Sequence, residues 1–327
     1  MNTTEAAWYK ITNKNGIEAT ILNYGATLTS LKIPLENGEI VDVVLGFSKF
    51  EEYVQSFEIS GSPYFGAIVG RYAGRINNGS FILNGKKIQL NKNNGNNTLH
   101  GGFKNFSNSF WRLKTISNQE NPFVTLEYCS PENEEHFPGQ LTVEVTYTLT
   151  EENEIKVSYF ASTSEDTIIN LTQHSYFNLD GHDSDVLNQK LEVYSDKILE
   201  TNLELIPTGS FIDLENHLFN YKKQKNCPAS IDTTFVLNDE KAAQLISEKN
   251  KIKMTVITTQ PAVHIYVGGS CSNIIKGKEN SNYHKTSGIC FETQNFPDAP
   301  NHNNFPNAVL KKGETYQHHT TFKFEKI

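Results

Sequence analysis

Two side chains in this 327-residue chain have the types and surroundings that proton chemistry needs. Glu292 follows Ile289, Cys290 and Phe291 in GICFETQNFPDAPNHNNFP, Gly288 to Pro306. A carboxylate placed after an apolar run is at least partly buried; buried and unpaired it is unfavourable, so it needs partners or a task. His174 lies in NLTQHSYFNLDGH, Asn170 to His182, among apolar and hydrogen-bonding residues. An imidazole and a carboxylate whose surroundings separate their proton affinities are the minimum equipment for general acid and base catalysis. The bland alternative for His174 is a strand histidine satisfied by a neighbour. In a strand, His174 and Tyr176 would share one face.

Three further stretches carry candidate polar groups. GAIVGRYAGRINN, Gly66 to Asn78, sets two arginines among three glycines. It lacks the Gly-Lys-Ser/Thr ending of a phosphate loop. Arg75 there offers a planar fork of donors to ligand oxygens, against the alternative of a surface salt bridge. His100 stands between Leu99 and two glycines, which leave room for something to approach the ring. Asp232, in SIDTTFVL, precedes a strand-like segment, where an ordinary turn aspartate is the competing reading.

The elements that must hold these groups read as β throughout. Asn15-Gly16, Asn37-Gly38 and Asn84-Gly85 are signals for two-residue hairpin turns, each flanked by strand-like residues. Leu141 to Thr150 alternates apolar and polar positions, and Ile155, Val157 and Tyr159 continue the pattern after a turn, giving an antiparallel pair with one buried face. Leu191 to Leu199 and Met254 to Thr258 also read as strands, and Ala242 to Glu248 leans the same way. Ser48 and Glu51 have capping-box spacing, which makes Ser48 to Phe57 the best helix in the chain. His318 and His319 fall in a terminal strand, where adjacent side chains point to opposite faces and do not share a metal.

No linker, repeat or low-complexity run divides the chain, so residues 1–327 read as one all-β domain. Hydrophobic residues at 37% suffice for a large core, and a net charge of -8 with scattered basic residues gives no surface for nucleic acid. Met1 to Lys10 lacks the pattern of a signal peptide, and no segment has the roughly 20 apolar residues of a membrane span, which points to a cytoplasmic protein with no membrane partner. Cys129, Cys227, Cys271 and Cys290 show no paired-ligand spacing, so neither a zinc site nor a disulfide framework is expected, and they read as buried thiols.

In combination these motifs resemble the galactose mutarotase (aldose 1-epimerase) family. LHGG at Leu99 to Gly102, NLTQHSYFNL at Asn170 to Leu179 and FETQNFPDAPN at Phe291 to Asn301 carry the likeness. GRYAGRI at Gly70 to Ile76 and the aspartate of SIDTTF fit it in the same order. The resemblance implies a large single-domain antiparallel β-sandwich with few short helices and a sugar site in a cleft across one sheet. It implies Glu292 as general base on the anomeric hydroxyl, His174 as general acid on the ring oxygen, and His100 assisting beside that oxygen. Arg75, Asp232 and Tyr176 would hold hydroxyls of a small aldose substrate, with His264 in the same set. No cofactor or metal is implied, and no motif distinguishes a monomer from a homodimer.

Two positions depart from the usual pattern of that family. Gly74 stands where many members have Asn, and His264, in His264-Ile265-Tyr266, where many have Gln. Phe296 at a position where Trp is common is a milder change. Both larger departures concern recognition of sugar hydroxyls rather than the acid and base. The competing functions are an epimerase of hexose 6-phosphates, a glycoside hydrolase using Glu292 with Asp232 or Asp298, and a sugar-binding protein without catalysis.

Overall fold

Alternation along the chain becomes three larger antiparallel sheets in the computed structural model, which describes residues 5–59, 61–270 and 276–327. A four-stranded sheet is built by Trp8–Thr12, Glu18–Leu22, Thr27–Pro34 and Ile40–Asp42. The predicted Asn-Gly turns close two of its hairpins, with Gly16 at φ 80° and Gly38 at φ 84°, backbone that glycine adopts without strain. Asn84-Gly85 closes a separate ribbon of Ser80–Leu83 with Lys86–Gln89.

The nine-stranded sheet has the Leu141–Leu149 and Glu154–Thr163 pair near its middle and the C-terminal strand Tyr316–Lys326 beside it. Every second residue of Leu141–Leu149 is buried, as its sequence pattern requires. Lys241–Ser247 and Ile252–Thr258 are neighbouring strands of this sheet, and the expected 191–199 strand divides into Lys190–Val193 and Ser195–Thr201, which join different sheets. The strand carrying His318 and His319 is also as expected.

The third sheet positions the candidate site. Its six strands run in the order Tyr176–Phe177, Ile289–Gln294, Ala262–Val267, Ile231–Leu237, Ser195–Thr201 and Pro207–Asp213. Ile231, Phe235, Val263, Ile265, Val267, Ile289 and Phe291 turn one face into a core shared with Val143, Val145 and Leu28 of the other two sheets. A strand sends neighbouring side chains to opposite faces, so Asp232, Thr234, His264, Tyr266, Glu292 and Gln294 necessarily occupy the other face.

Three further expectations are corrected. The helix spans Phe50–Ser56, and Glu52 rather than Glu51 reaches back to its start, accepting from the Lys49 N–H at 3.1 Å and the Ser48 N–H at 3.2 Å. The motif is therefore one residue later than the Ser48 and Glu51 spacing indicated. Cys129 is exposed on the outer face of Phe123–Ser130, whereas Cys227 and Cys290 are buried thiols; Cys271 lies outside the described residues. The 170–182 stretch is not one strand. Thr172–Gln173 pairs with Ile68–Val69, and Tyr176–Phe177 pairs with Ile289 and Cys290. Gln173 bonds the Gly66 carbonyl and the Ser175 N–H, so polar side chains satisfy the backbone where pairing switches partner.

A buried ion pair fastens the segment after residue 276 to the four-stranded sheet. Lys278 Nζ donates to Asp42 Oδ2 and to the Thr29 carbonyl, both at 2.6 Å. Ser30 Oγ and the Leu31 N–H also donate to this carboxylate. Burial alone would raise the Asp42 pKa, but the Lys278 charge and hydrogen bond, with the His182 imidazole 3.7 Å away, hold it well below the usual carboxylate range. Its contribution to stability is present above the unfolded-state value of about 3.9 and lost as pH falls. Asp42→Ala leaves Lys278 buried beside no carboxylate, and a loss of about 3 kcal/mol in denaturant unfolding is expected. An unchanged unfolding midpoint would show that the pair contributes nothing.

Candidate active site

The polar face of the six-stranded sheet forms the floor of a cavity of about 550 Å³. Register places its groups in rows: Thr234 lies opposite His264, which lies opposite Glu292. One position along, Asp232 lies opposite Tyr266, Tyr266 opposite Cys290, and Cys290 opposite Tyr176. Loops from the first third of the chain supply the walls, with Tyr64, Gly74, Arg75, Asn94 and His100.

Glu292 and His174, distant in sequence, meet at this floor, with His174 Nε2 3.4 Å from Glu292 Oε1. Only 3% of Glu292 and 5% of His174 is exposed, so the surroundings that set their electrostatics are mostly protein. The imidazole is fixed on every side. Its residue exchanges backbone hydrogen bonds with Ala67 and Gly66, and its ring lies 5.3 Å from the Tyr176 ring and 5.8 Å from that of Tyr64. His174 Nδ1 is 3.6 Å from Cys290 Sγ, which leaves Nε2 for the cavity.

His100 completes the group. Ligand atoms of His100, His174 and Glu292 all lie within 4.8 Å of one another, a spacing short enough for a shared cation. The chemistry of His100 disagrees with that use. The Gly74 N–H donates to His100 Nδ1 at 3.2 Å, which places the ring proton on Nε2. Neither nitrogen then offers a lone pair to a metal, and a ligating imidazole needs its other nitrogen as a donor. Burial, together with the charges of His174, Arg75 and His264, pushes the His100 pKa well below the ordinary histidine value. His100 is a neutral N–H donor aimed at whatever occupies the cavity.

The glycines that follow His100 serve a different purpose from the one their position suggested. A Cβ on Gly101 would come within 2.2 Å of the Gly70 carbonyl oxygen, and Gly101 has φ 89°. What approaches is the protein's own backbone, and the glycine lets the His100 loop seat against the Gly70 turn.

Arg75 forms no ion pair among the described residues; its Nε donates to Asn94 Oδ1 at 3.1 Å, which holds the guanidinium at the cavity wall. Asp232 faces the cavity while its Oδ1 lies 2.9 Å from His264 Nε2. Burial would raise the Asp232 pKa, but the His264 hydrogen bond and charge lower it, so the group is a carboxylate. His264 lines the cavity with both ring nitrogens engaged, Nδ1 being 2.8 Å from Thr234 Oγ1. At Gly74 a Cβ would lie 2.9 Å from the Pro297 side chain, so a larger residue there requires Pro297 to withdraw.

All seven residues singled out in the sequence line this one cavity. Asp298 does not. Its carboxylate accepts from the Asn77 N–H and from Asn301, and binds His302, so it is consumed in shaping the loop after Glu292. Gln294 and Thr234 were missed although each lies two residues beyond a recognised site residue, the strand period that puts it on the same face. Gln294 is 1% exposed, and its Oε1, without a hydrogen-bond partner among the described residues, belongs to a side chain that lines the cavity. Tyr64 has no comparable signal, since a loop brings it across the histidines.

Comparison with known proteins shows the family to which the chain is similar. The family model described as aldose 1-epimerase matches residues 8–323. The chain is 39% identical to the galactose mutarotase of Bos taurus, over 94% of this chain and 91% of that protein. It is 32% identical to the aldose 1-epimerase of Escherichia coli, over 95% of this chain and 93% of the other. Among solved structures, an aldose epimerase homologue from C. elegans superposes with a TM-score of 0.90 at 28% identity, covering 99% of this chain and all of its own. With a family model matched over nearly its whole length, the chain belongs to the aldose 1-epimerase family.

Proposed function

We propose that this chain interconverts the α and β anomers of a free aldohexose such as galactose or glucose, working as one domain. The observation that carries the reading is the 3.4 Å approach of His174 Nε2 to Glu292 Oε1 on the cavity floor. In a cyclic hemiacetal the hydroxyl oxygen and the ring oxygen are bonded to the same carbon. An acid and a base that serve both must therefore be neighbours. The two carboxylates of a glycosidase stand about 5 to 9.5 Å apart across the scissile bond.

Glu292 takes the proton of the C1 hydroxyl as the bond from C1 to the ring oxygen breaks, and His174 gives its Nε2 proton to that oxygen. The products of the step are the open-chain aldehyde, a protonated Glu292 and a neutral His174. Rotation about C1–C2 presents the other face of the carbonyl. The C5 hydroxyl then returns its proton to His174 while it attacks C1, and Glu292 returns its own to the carbonyl oxygen. Protons and bonds balance, and both residues end as they began. The neutral N–H of His100 steadies the ring oxygen, while Arg75, Asp232 and Tyr176 engage hydroxyls.

A free sugar is favoured over a hexose phosphate because Arg75 is the one Lys or Arg among the described lining residues. Among the described residues of the chain no helix is long and apolar enough to cross a membrane. Polarimetry of freshly dissolved α-galactose tests the function, with glucose, xylose, arabinose and glucose 6-phosphate as comparisons. Failure to accelerate the change with any free sugar refutes it. Asp232→Ala is expected to raise KM about tenfold or more with a smaller change in kcat, since it removes binding shared by ground and transition states. A loss confined to kcat would remove Asp232 from the binding set.

A further inference from the structure

We propose that His264 is a positioning residue that sets the direction of the Thr234 hydroxyl, so that the protein's affinity for sugar depends on the number of protons on this ring. The proposal rests on the anomer-interconverting reading of the cavity and adds a protonation-dependent hydrogen-bond donor to it. His264 has no free nitrogen for a ligand: Nε2 is 2.9 Å from Asp232 Oδ1 and Nδ1 is 2.8 Å from Thr234 Oγ1. Asp232, Thr234 and His264 all line the cavity, and Thr234 is 5% exposed.

The polarity of this chain follows from donor counting. Asp232 is an acceptor, so the His264 nitrogen facing it carries a proton in either state of the ring. The other nitrogen differs between the states. In the imidazolium, Nδ1–H donates to Thr234 Oγ1, and the threonine proton is free to point into the cavity at a sugar oxygen. In the neutral ring, Nδ1 is an acceptor, the threonine proton turns back to it, and the cavity loses that donor. Asp232 accepts from Nε2–H throughout and keeps its other oxygen available to the sugar.

Several groups decide which state prevails. Asp232 and Thr234 face His264 from Ile231–Leu237, Glu292 from Ile289–Gln294 and Tyr266 from its own strand; Arg75, His100 and His174 stand on the surrounding loops. Burial of the ring lowers its pKa, but the Asp232 hydrogen bond and charge and the Glu292 charge outweigh burial and the opposing Arg75, so the value is raised. The imidazolium is therefore complete below about pH 6.5 and persists above it, and is lost as pH rises through the raised value.

The experiment is the pH dependence of KM for galactose, from about pH 6 upward, for the wild type, His264→Gln and Thr234→Val. Wild-type KM is expected to rise about threefold to tenfold with pH, the worth of one hydrogen bond. In His264→Gln the amide keeps a donor for Asp232 but does not titrate, so that rise disappears. Thr234→Val is expected to show at low pH the KM that the wild type reaches at high pH, and no further rise. A wild-type KM that is flat, or variants whose KM climbs as the wild type does, overturns the proposal. Galactose affinity followed by NMR over the same pH series separates the two failures. Absence of anomer interconversion in the wild type sinks the functional reading, whereas pH-independent galactose binding sinks this one.

Discussion

Glu292→Gln should remove most of the catalysed interconversion while leaving a folded protein. The amide keeps the size of the carboxyl group and can still donate and accept hydrogen bonds, but it cannot receive a proton from the C1 hydroxyl. A positioned proton transfer contributes about 10²-fold to 10⁴-fold, and a loss in that range is the expected result when the optical rotation of fresh α-galactose is followed against the spontaneous change. A variant within a few-fold of the wild type, with an unchanged circular dichroism spectrum, would mean that another group removes the proton.

His174→Asn carries an effect of similar size through the other half of the reaction. Asparagine is short: it reaches the region of Nδ1, beside Cys290, but puts nothing where Nε2 stands 3.4 Å from Glu292. The ring oxygen then has no acid, and kcat should fall about 10²-fold to 10⁴-fold with KM little changed, because the proton is transferred in the transition state and not in the bound complex. The double variant is informative. Two groups acting on one bond-breaking step are strongly non-additive, so Glu292→Gln with His174→Asn should be about as slow as either alone. Losses that multiply would assign the residues to separate steps.

Local and physical signals singled out Glu292 and His174 as candidates, and the resemblance to a family supplied the roles proposed for them. A glutamate inside an apolar run forced the question of its partners. The Asn-Gly turns and the alternation of Leu141–Leu149 required only neighbours in sequence. What escaped depended on contacts between distant segments. Every residue from Asn170 to Leu179 is buried, so alternation there carried no inward or outward meaning, and the switch of strand partner at His174 had no pattern to announce it. The purpose of Gly101 depended on the Gly70 backbone, and the engagement of both His264 nitrogens depended on Asp232 and Thr234 from the next strand. The exposure of Cys129 followed from its strand face and not from its residue type.

The division of Ile289–Gln294 and its neighbours into an apolar face and a polar face bears on how such a protein can change. Exchanging one cavity-facing side chain, as at His264, leaves Val263 and Ile265 seated against the interior, so preference for one sugar over another can be rewritten at alternate positions with little loss of foldedness. Inserting or deleting a single residue in these strands would do the reverse: Phe291 would face the sugar, Glu292 would enter the apolar layer, and catalysis and folding would fail together. Relatives of this chain are therefore expected to vary in the lengths of the loops around the cavity and in its outward-facing residues, and to keep the length of this strand unaltered.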